Sequence, residues 1–363
     1  MKTKQWFIAA VLLLLFEWLR VYFIMPMPGS QKLNSLDLAY FLHVYRWIFR
    51  VLLAAVLVFR LKHVWSHYKM TSLLLLLFIC VSAYFTNFPM SADSMFLKMG
   101  VVKFEAAAHN KINPERLVLG VVVNGKARAY PIHIIAHHHQ VMDTLDPMNP
   151  LLPTYCSVCR TGVVYKHPVK NGKPEHLRLV GMDYFNAMFE DETTGSWWQQ
   201  ATGQAIIGKR KGELWTPLPA TQTTLANWLN LHPNSLILQE DPAFKEKYKR
   251  LEAYDKGNIK SSLLHREKAP GNPKNWMAWV KINGKTKSYA WEALEKQGWL
   301  RDSIDGQLFM VASPDGKSLF AFKLPAGENK ERYSAQEVLN LYKRCEPLQA
   351  AQEFRHSFEH FRK

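Results

Sequence analysis

The sequence has no stripe of lysine and arginine residues interleaved with aromatic residues. Binding of single-stranded nucleic acid needs such a stripe, so nucleic acid is not expected as a partner. The formal net charge is nevertheless +16. Residues 1–90 hold nine Lys/Arg and two Asp/Glu, whereas the rest of the chain holds 37 and 28 with the signs interspersed. We interpret this balance as a solvated surface that tolerates anionic lipid headgroups.

A second absence concerns the N-terminus. The apolar run of residues 6–16 follows two lysines, as it would in a signal peptide, but no small-x-small cleavage site comes after it. We therefore expect the segment to be retained. It contains four consecutive leucines and has no polar face, which excludes an amphipathic helix of a soluble core.

Long apolar runs are concentrated in the first quarter of the chain. A membrane-spanning helix needs about 20 mostly apolar residues, and residues 6–24 and 70–88 reach that length. Residues 42–61 are a third candidate, although two arginines interrupt it. We predict an anchor of three spans within residues 1–90, or of two spans and an interfacial helix.

The distribution of lysine and arginine slightly favours an N-terminus inside the cell. Three spans would then put the large domain outside the cytoplasm, attached to the plasma (inner) membrane. Two spans would reverse that orientation. The lipid bilayer is the one partner that the sequence predicts, and protein partners are left open.

Charged residues inside the candidate spans are expected to pair. Glu17 and Arg20 stand three positions apart and share a helix face, as do Arg46 and Arg50, four apart. Ionisable groups in a span cost several kcal/mol unless they are paired. We predict that Glu17 faces the arginines and fixes helix pairing. A proton path would need more acidic or histidine groups.

Beyond the anchor, the pattern is typical of an α+β domain that is mostly antiparallel β. Residues 117–123 form an apolar run, Asn124-Gly125 is a strong hairpin signal, and a short helix with four histidines follows. Strands are predicted at residues 151–155 and 161–167. We expect residues 91–241 to form this domain and residues 242–275 to form a linker or an irregular excursion.

The opening pattern returns near the C-terminus. Residues 280–289 mirror residues 121–130, and each copy continues with a helix-length segment, an aspartate and paired strands. We predict two related strand–hairpin–helix–strand units, with residues 276–325 as a degenerate repeat that completes the fold. Ser313 and Gly316 fall where cysteines lie in the first copy. Residues 326–363 are expected to be a polar C-terminal segment.

Cys156 and Cys159 are the most informative of the four cysteines, because a strand leads into a tight turn that carries both. Two thiolates at this spacing can bind a transition metal such as zinc, copper or iron, can shuttle between dithiol and disulfide, or can be structural. His138 is the predicted third metal ligand. Most of the run of histidines around it is expected to lie on the surface.

These residues resemble those of a known family. The order Ala127-Arg128-Ala129-Tyr130-Pro131, then His138, Val141 and Asp143, then Thr154-Tyr155-Cys156-x-x-Cys159 is similar to that of the DUF3179 family of uncharacterised domains. A further run of matching residues extends the resemblance over about residues 112–240: Asn186, Asp191, Ser196, Trp198, Gln200, Thr202-Gly203, Ala205-Ile206, Gly208, Leu218-Pro219 and His232-Pro233. The resemblance implies a membrane-attached or extracytoplasmic domain, and it implies no activity.

Two departures from the family pattern matter. The family usually has His-Glu at residues 138–139 and Cys-Pro-x-Cys-Gly at residues 156–160, where this chain has His-His and Cys-Ser-Val-Cys-Arg. The missing glutamate weakens any role for a general base beside His138. The changed turn alters the stiffness of the cysteine loop.

Three functions therefore remain open. The leading hypothesis is a metal or small-ligand site of Cys156, Cys159 and His138, with Asp143 fixing the imidazole tautomer from the second coordination sphere. The second is a thiol–disulfide oxidoreductase with Cys156 as the attacking thiol. The third is a non-catalytic interaction domain with a structural disulfide. If the cysteines are structural, a cleft lined by the side chains of Asn186, Trp198 and Gln200 is the alternative ligand site.

Overall fold

The computed structural model describes residues 2–251 and 274–362. Its helices are α1 Lys2–Tyr22, α2 Leu36–Val44, α3 Arg46–Asn87, α4 Ala92–Met95, α5 Ile132–His138, α6 Leu225–Leu231, α7 Lys245–Arg250, α8 Trp291–Gln297, α9 Ala335–Arg344 and α10 Arg355–Phe361. The first ten strands are β1 Phe104–Ala106, β2 Leu117–Val123, β3 Lys126–Pro131, β4 Leu151–Cys156, β5 Thr161–Lys166, β6 Val169–Lys170, β7 Lys173–Pro174, β8 Leu177–Asp183, β9 Asn186–Asp191 and β10 Trp197–Gln199. The others are β11 Ala205–Ile207, β12 Pro217–Leu218, β13 Ala220–Thr224, β14 Leu236–Leu238, β15 Trp276–Ile282, β16 Lys285–Ala290, β17 Trp299–Ile304, β18 Gln307–Ala312, β19 Phe320–Lys323 and β20 Gln349–Phe354.

The strands form small sheets with the orders β1-β14-β3-β2-β13, β11-β10-β9-β8, β12-β5-β4, β16-β15-β20 and β17-β18-β19, with β6-β7 as a separate ribbon. The pair β14–β3 is parallel, and the hairpins around it are antiparallel. The predicted turn at Asn124-Gly125 is present, with φ of 50° and 74°. Two consecutive residues in the left-handed region are typical of a tight hairpin turn. N-terminal helices followed by a mostly antiparallel domain confirm the α+β prediction.

Two helices of the described chain are long and apolar enough to cross a membrane, Lys2–Tyr22 and Arg46–Asn87. The second has non-helical backbone angles at Tyr68. Arg50 donates to Asn87 Oδ1 at 2.8 Å, although a straight helix would separate these residues by about 55 Å. Helix α3 therefore folds back on itself at Tyr68 into two antiparallel halves, residues 46–67 and 69–87, which pack against α1.

The predicted boundary at residue 90 does not separate two cores. The buried side chains of Val21, Ile24 and Ala39 belong to the same hydrophobic cluster as the two cysteines of the β4–β5 turn. The backbone of Met182 in β8 also donates to Ile24 O at 2.8 Å. The segment that follows α1 is therefore part of the core of the domain.

The segments expected to be irregular or peripheral are partly structured. The predicted linker begins with helix α7, in which Tyr248 is buried, while residues 252–273 lie outside the described part of the chain. The predicted polar tail contains α9, β20 and α10. Strand β20 pairs with β15 over its whole length, because its small residues Ala350 and Ala351 fit between packed elements.

Two units of the fold have the same order of elements. The hairpin β2–β3 and helix α5 precede β4–β5, and the hairpin β15–β16 and helix α8 precede β17–β18–β19. In each unit a tyrosine of the hairpin donates to an aspartate beyond the helix, and a lysine pairs with a second aspartate three residues later. The pairs are Tyr130–Asp143 at 2.7 Å, Lys126–Asp146 at 3.1 Å, Tyr289–Asp302 at 2.8 Å and Lys285–Asp305 at 2.6 Å.

Candidate functional site

The two cysteines lie at the turn between β4 and β5. Cys156 ends β4 and pairs with Thr161, the first residue of β5. The backbone amide of Cys159 donates to Cys156 Sγ at 3.4 Å, which fixes the turn between them. Arg160 has φ of 58°, so the position at which the family usually has glycine lies in the left-handed region. Both cysteines are free thiols and are almost fully buried, with exposures of 1% and 0%.

A second turn covers this pair. The thiols of Cys156 and Cys159 donate to the backbone oxygen of Phe185 at 3.4 and 3.3 Å. Phe185 and Tyr184 form the two-residue turn between β8 and β9, and their φ angles are 65° and 44°. Large side chains rarely adopt this region, and such strained conformations cluster at functional sites. The strained turn is thus held directly over the sulfur atoms.

Hydrogen bonds make the two thiols unequal. Burial raises the pKa of Cys156, but hydrogen bonds from the Cys159 thiol and from backbone amides outweigh it, and the pKa is lowered. The pKa of Cys159 is raised well above its ordinary value by burial and by its hydrogen bond to Cys156. Cys156 is therefore the thiol that ionises first, and the Cys159 S–H can then turn from Phe185 O to the thiolate.

The histidine beside the sulfurs comes from the C-terminus. His356 Nε2 in α10 lies 3.8 Å from Cys159 Sγ, and the amide of Phe354 donates to Cys159 O at 3.0 Å. These contacts bring β20 and α10 over the cysteine turn. The sequence interpretation missed this part of the site, because nothing in the local pattern of residues 349–361 connects them with a turn almost 200 residues earlier.

The buried carboxylate of Glu353 joins the cysteine turn to helix α10. Glu353 is fully buried and accepts hydrogen bonds from Thr161 at 2.6 Å, Ser357 at 2.7 Å and Arg362 at 2.5 Å. Thr161 follows the cysteine turn, and Ser357 follows His356. The carboxylate therefore ties the first strand after the cysteines to the helix that carries the histidine.

The structure does not bring His138 to the cysteines. Its Nδ1 contacts Leu97 O at 2.5 Å and its Nε2 contacts the Tyr248 hydroxyl at 2.6 Å, so both ring nitrogens are engaged elsewhere. Tyr248 belongs to the segment that was expected to be irregular, and its burial creates this pocket for His138. Within residues 2–251 and 274–362, no three His, Cys, Asp or Glu side chains are arranged to hold a metal ion.

Asp143 does not orient His138 either. Its carboxylate accepts from Tyr130 at 2.7 Å and lies 3.6 Å from Arg128 Nε. Tyr130 and Arg128 lie two positions apart on β3 and therefore share one face of the strand, where the Asp143 carboxylate meets both. The residue has a structural role in its sheet, and the predicted second coordination sphere is not formed.

The other histidines of this run are buried, contrary to the expectation of a surface position. His133, His137 and His139 are 1%, 8% and 5% exposed. Helix α5 is only seven residues long and is enclosed by β4, α7 and the segment near Phe96. His139 Nε2 lies 3.3 Å from the Ser157 hydroxyl, on the cysteine turn. Burial lowers the pKa of His139 to about 4, so this ring is neutral at pH 7.

The residues of the predicted alternative cleft form a closed network. Asn186 donates to Gln200 Oε1 at 3.0 Å, and Gln200 donates to Thr154 at 3.0 Å. Trp198 donates to Asp191 at 2.9 Å and stacks on Trp215. Asn186, Trp198 and Gln200 are at most 1% exposed. They support the sheets behind the cysteines and do not line an open cleft.

The charged residues of the helices form a compact cluster. Arg50 donates to both oxygens of Glu17, at 2.6 and 2.8 Å, and Arg20 lies 3.7 Å from the same carboxylate. Arg46 instead donates to the backbone oxygen of His43 at 2.6 Å. Glu17 thus connects α1 with the first half of α3 through Arg50, while Arg46 caps α2.

The fold and the site define an α+β domain that buries a free Cys-x-x-Cys pair and shares its core with the end of an apolar N-terminal helix. The chain belongs to the family described as Protein of unknown function (DUF3179), whose model matches residues 100–354. This confirms the family inferred from the sequence and extends the match to β20. No curated protein and no solved structure matches the chain.

Proposed function

We propose that the chain is a membrane-anchored thiol–disulfide oxidoreductase in which Cys156 and Cys159 are the redox-active pair. The observation that carries the proposal is the geometry of the cysteine turn. Two free, buried thiols share one tight turn in which the amide of Cys159 donates to Cys156 Sγ at 3.4 Å, and His356 Nε2 lies 3.8 Å from Cys159 Sγ. The lowered pKa of Cys156 and the raised pKa of Cys159 agree with this arrangement. Thiol–disulfide exchange needs a thiolate as the attacking group and a second thiol close by to release the product.

The exchange would proceed in two steps. The Cys156 thiolate attacks one sulfur of a partner disulfide, whose S–S bond breaks, and the other partner sulfur leaves as a thiolate. Cys159 then loses its proton and attacks Cys156 Sγ, which forms the intramolecular disulfide and releases the second partner thiolate. Two electrons pass to the partner. His356 Nε2, 3.8 Å from Cys159 Sγ, would accept the Cys159 proton.

The near-complete burial of both sulfurs restricts this reaction to an opened form of the domain. Opening has to displace the Tyr184–Phe185 turn, helix α10, or both, because these elements contact the pair. Such local opening is common where few apolar contacts hold a surface turn. Burial would thereby protect the thiols from small oxidants until a partner binds.

We propose three membrane spans and a domain outside the cytoplasm. The fold-back of α3 supports this topology, since each half is about 30 Å long, which matches the hydrocarbon thickness of a bilayer. Disulfide chemistry also belongs to oxidising compartments. A reporter enzyme that is active only outside the cytoplasm, fused to the C-terminus, should be active. Activity of a cytoplasm-dependent reporter there would contradict this topology.

We also propose that the two units with the same order of elements are copies of one ancestral unit. The tyrosine–aspartate and lysine–aspartate pairs support this, because each residue of the second unit lies 159 positions after its counterpart. Ser313 is buried and stands after β18 as Cys156 stands at the end of β4. The second copy would then have kept the scaffold without the thiols.

A second candidate function is binding of a soft metal by the two thiolates. His356 lies nearer to the thiols than His138 does, with its Nε2 3.8 Å from Cys159 Sγ. Because the described residues hold no preformed group of three ligands, His356 would have to move to become a third ligand. Two thiolates suit copper(I) or zinc. Metal content of the full chain after mild purification separates this candidate from the redox pair.

The redox proposal is tested by trapping the intermediate. The full chain with Cys159→Ser, in a Cys80→Ser, Cys345→Ser background, is treated with glutathione disulfide and analysed by mass spectrometry. We expect a stable glutathione adduct on Cys156. The matched variant Cys156→Ser should give much less adduct on Cys159. Equal adducts on both cysteines, or none on Cys156, would contradict the assignment of the attacking thiol.

A further inference from the structure

The loop between α1 and α2, residues 23–35, contacts the hairpin that covers the cysteines. We refer to it as the anchor loop. Phe185 N donates to the side-chain oxygen of Gln31 at 3.0 Å, and Met182 N donates to Ile24 O at 2.8 Å. Both donors belong to the β8–β9 hairpin. The segment after the first apolar helix thus meets the same residue whose carbonyl accepts from both thiols.

The backbone of Ile24 lies so close to strand β8 that the facing residue, Gly181, has no room for a side chain. A Cβ at Gly181 would lie 2.4 Å from Ile24 O and 2.8 Å from Ile24 Cβ. A side chain at this position would push the anchor loop away from β8. The loop is therefore seated against the backbone of the hairpin and is not in loose surface contact with it.

Gln31 is itself held in place by its own loop. Its Nε2 donates to Phe23 O at 3.2 Å and to Met25 O at 3.4 Å, and its exposure is 4%. The Ser30 hydroxyl fixes the same loop by donating to Met25 O at 2.6 Å. These bonds leave the Gln31 side-chain oxygen directed out of the loop, towards the amide of Phe185.

We propose that Gln31 is a positioning residue that holds the Tyr184–Phe185 turn closed over Cys156 and Cys159. This inference rests on the redox function proposed above. The turn needs such a support, because two large residues with positive φ do not keep this conformation alone. Stacking of Tyr184 on His360, with ring centroids 3.7 Å apart, holds the other side of the turn.

The arrangement gives the anchor a part in the chemistry. A partner disulfide that enters through the Tyr184–Phe185 turn reaches Cys156 when Phe185 moves, and this movement requires the amide of Phe185 to leave Gln31. Because Gln31 lies in the loop that joins α1 to α2, nine residues after Tyr22, a shift of α1 relative to the domain changes how often the pair opens. The anchor then regulates access to the thiols in addition to holding the domain at the bilayer.

The test measures how fast the pair is alkylated in the full chain, with Cys80 and Cys345 replaced by serine. N-ethylmaleimide modification of Cys156 and Cys159 is followed by mass spectrometry of peptides. Gln31→Met, which keeps side-chain length but cannot accept from Phe185 N, should raise the rate about 5- to 10-fold, the effect of one buried hydrogen bond on a local opening equilibrium. The matched control Asn34→Ala removes an exposed polar side chain of the same loop and should change the rate less than 2-fold.

Rescue separates positioning from general damage. Gln31→Glu keeps an acceptor for Phe185 N. In this buried site, facing Phe23 O and Met25 O, its carboxyl is expected to be protonated and so to keep one donor as well. Its alkylation rate should therefore lie closer to the parent's than to that of Gln31→Met. An unchanged rate in Gln31→Met, or equal acceleration by Asn34→Ala, would overturn the proposal. If Gln31→Met does not fold, Gly181→Ala separates the same two segments and has to accelerate alkylation. Alkylation needs no oxidation, so a pair that never forms a disulfide would refute the redox function and leave this inference standing.

Discussion

Cys159 Sγ lies 3.8 Å from Nε2 of His356, a residue near the end of the described chain. The contact joins a turn in the first half of the domain to a helix that follows the last strand. It assigns His356 a defined chemical task, because an imidazole at this distance can take the proton of the less acidic thiol once the chain opens.

Replacing His356 should therefore slow the second half of the exchange. In His356→Ala, attack of Cys159 on a mixed disulfide at Cys156 should be about 100-fold slower, at the lower end of the range for losing a general base. The mixed disulfide with glutathione should accumulate, and stopped-flow quenching with mass spectrometry measures it. His109→Ala, an exposed histidine outside the site, is the control and should behave like the parent. An unchanged rate of resolution would contradict the role of His356.

Because their pKa values shift in opposite directions, the thiols of Cys156 and Cys159 should lose their protons at different pH values. Hydrogen bonds lower the pKa of Cys156 and burial raises that of Cys159. In a chain whose other two cysteines, Cys80 and Cys345, are replaced by serine, a single thiolate should therefore form at a lower pH than an ordinary thiol requires, while Cys159 stays protonated. Thiolate absorbance near 240 nm should rise in the parent and in Cys159→Ser, because a serine hydroxyl can still donate to Cys156. It should vanish in Cys156→Ser. A thiolate signal that persists in Cys156→Ser would assign the lowered pKa to the wrong residue.

The Glu353 carboxylate should be essential for the stability of strand β20 and helix α10, which pack over the cysteine turn. Glu353→Ala leaves the Arg362 guanidinium buried without its carboxylate, and breaking such a pair costs about 3–5 kcal/mol. Thermal melting of the detergent-solubilised chain measures the loss. Glu359→Ala removes a half-exposed partner of Arg355 on the same helix and should cost less than about 1 kcal/mol. Similar losses in the two variants would show that Glu353 is not the central support.

The buried carboxyl group of Asp183 should make the stability of the domain depend on pH. Burial raises the pKa of this carboxyl to about 6, and a hydrogen bond from Gln199 opposes the shift. A raised pKa in the folded state means that the protonated form is favoured there. The stabilising effect of the protonated form is complete below about pH 4 and is lost as the pH rises through about 6.

Asp183→Asn should remove this dependence. The variant should be more stable than the parent at pH 7.5, by about 2–3 kcal/mol at most, and equal to it at pH 4. Melting temperatures across pH 4–8 measure the difference. The control Asp305→Asn removes an exposed pair with Lys285. Its difference in stability from the parent should not disappear as the pH falls to 4. A variant that is less stable than the parent at pH 7.5 would mean that the Asp183 carboxylate is stabilised in the folded chain.

The sequence predicts the local elements of this fold well, because turn chemistry and apolar runs act over short distances. The Asn124-Gly125 hairpin and the strands that flank Cys156 and Cys159 lie where the pattern indicates. Helix α3 shows the limit of this approach. The two apolar stretches predicted as separate spans lie in its two halves, but the sequence did not predict that helical hydrogen bonding would continue up to the reversal at Tyr68 from both sides.

The site was less predictable, since its members come from distant segments. His138 was favoured because it lies close to the cysteines in sequence, but Tyr248 and Leu97 engage both of its nitrogens. His356 and Gln31 lie on opposite sides of the cysteines in sequence, and only tertiary packing brings them to the same turn. A single sequence contains no pattern that reports such long-range contacts.

The central claim is tested most directly by an equilibrium titration of the Cys156–Cys159 pair in the full chain. The protein is equilibrated in glutathione buffers of increasing oxidation, quenched, and the intramolecular disulfide is counted by mass spectrometry. We predict one two-electron transition confined to these two cysteines, with about 30 mV per tenfold change in the equilibrium constant. Thiols that stay reduced in every buffer, or that are recovered with a stoichiometric bound metal, would contradict the redox account.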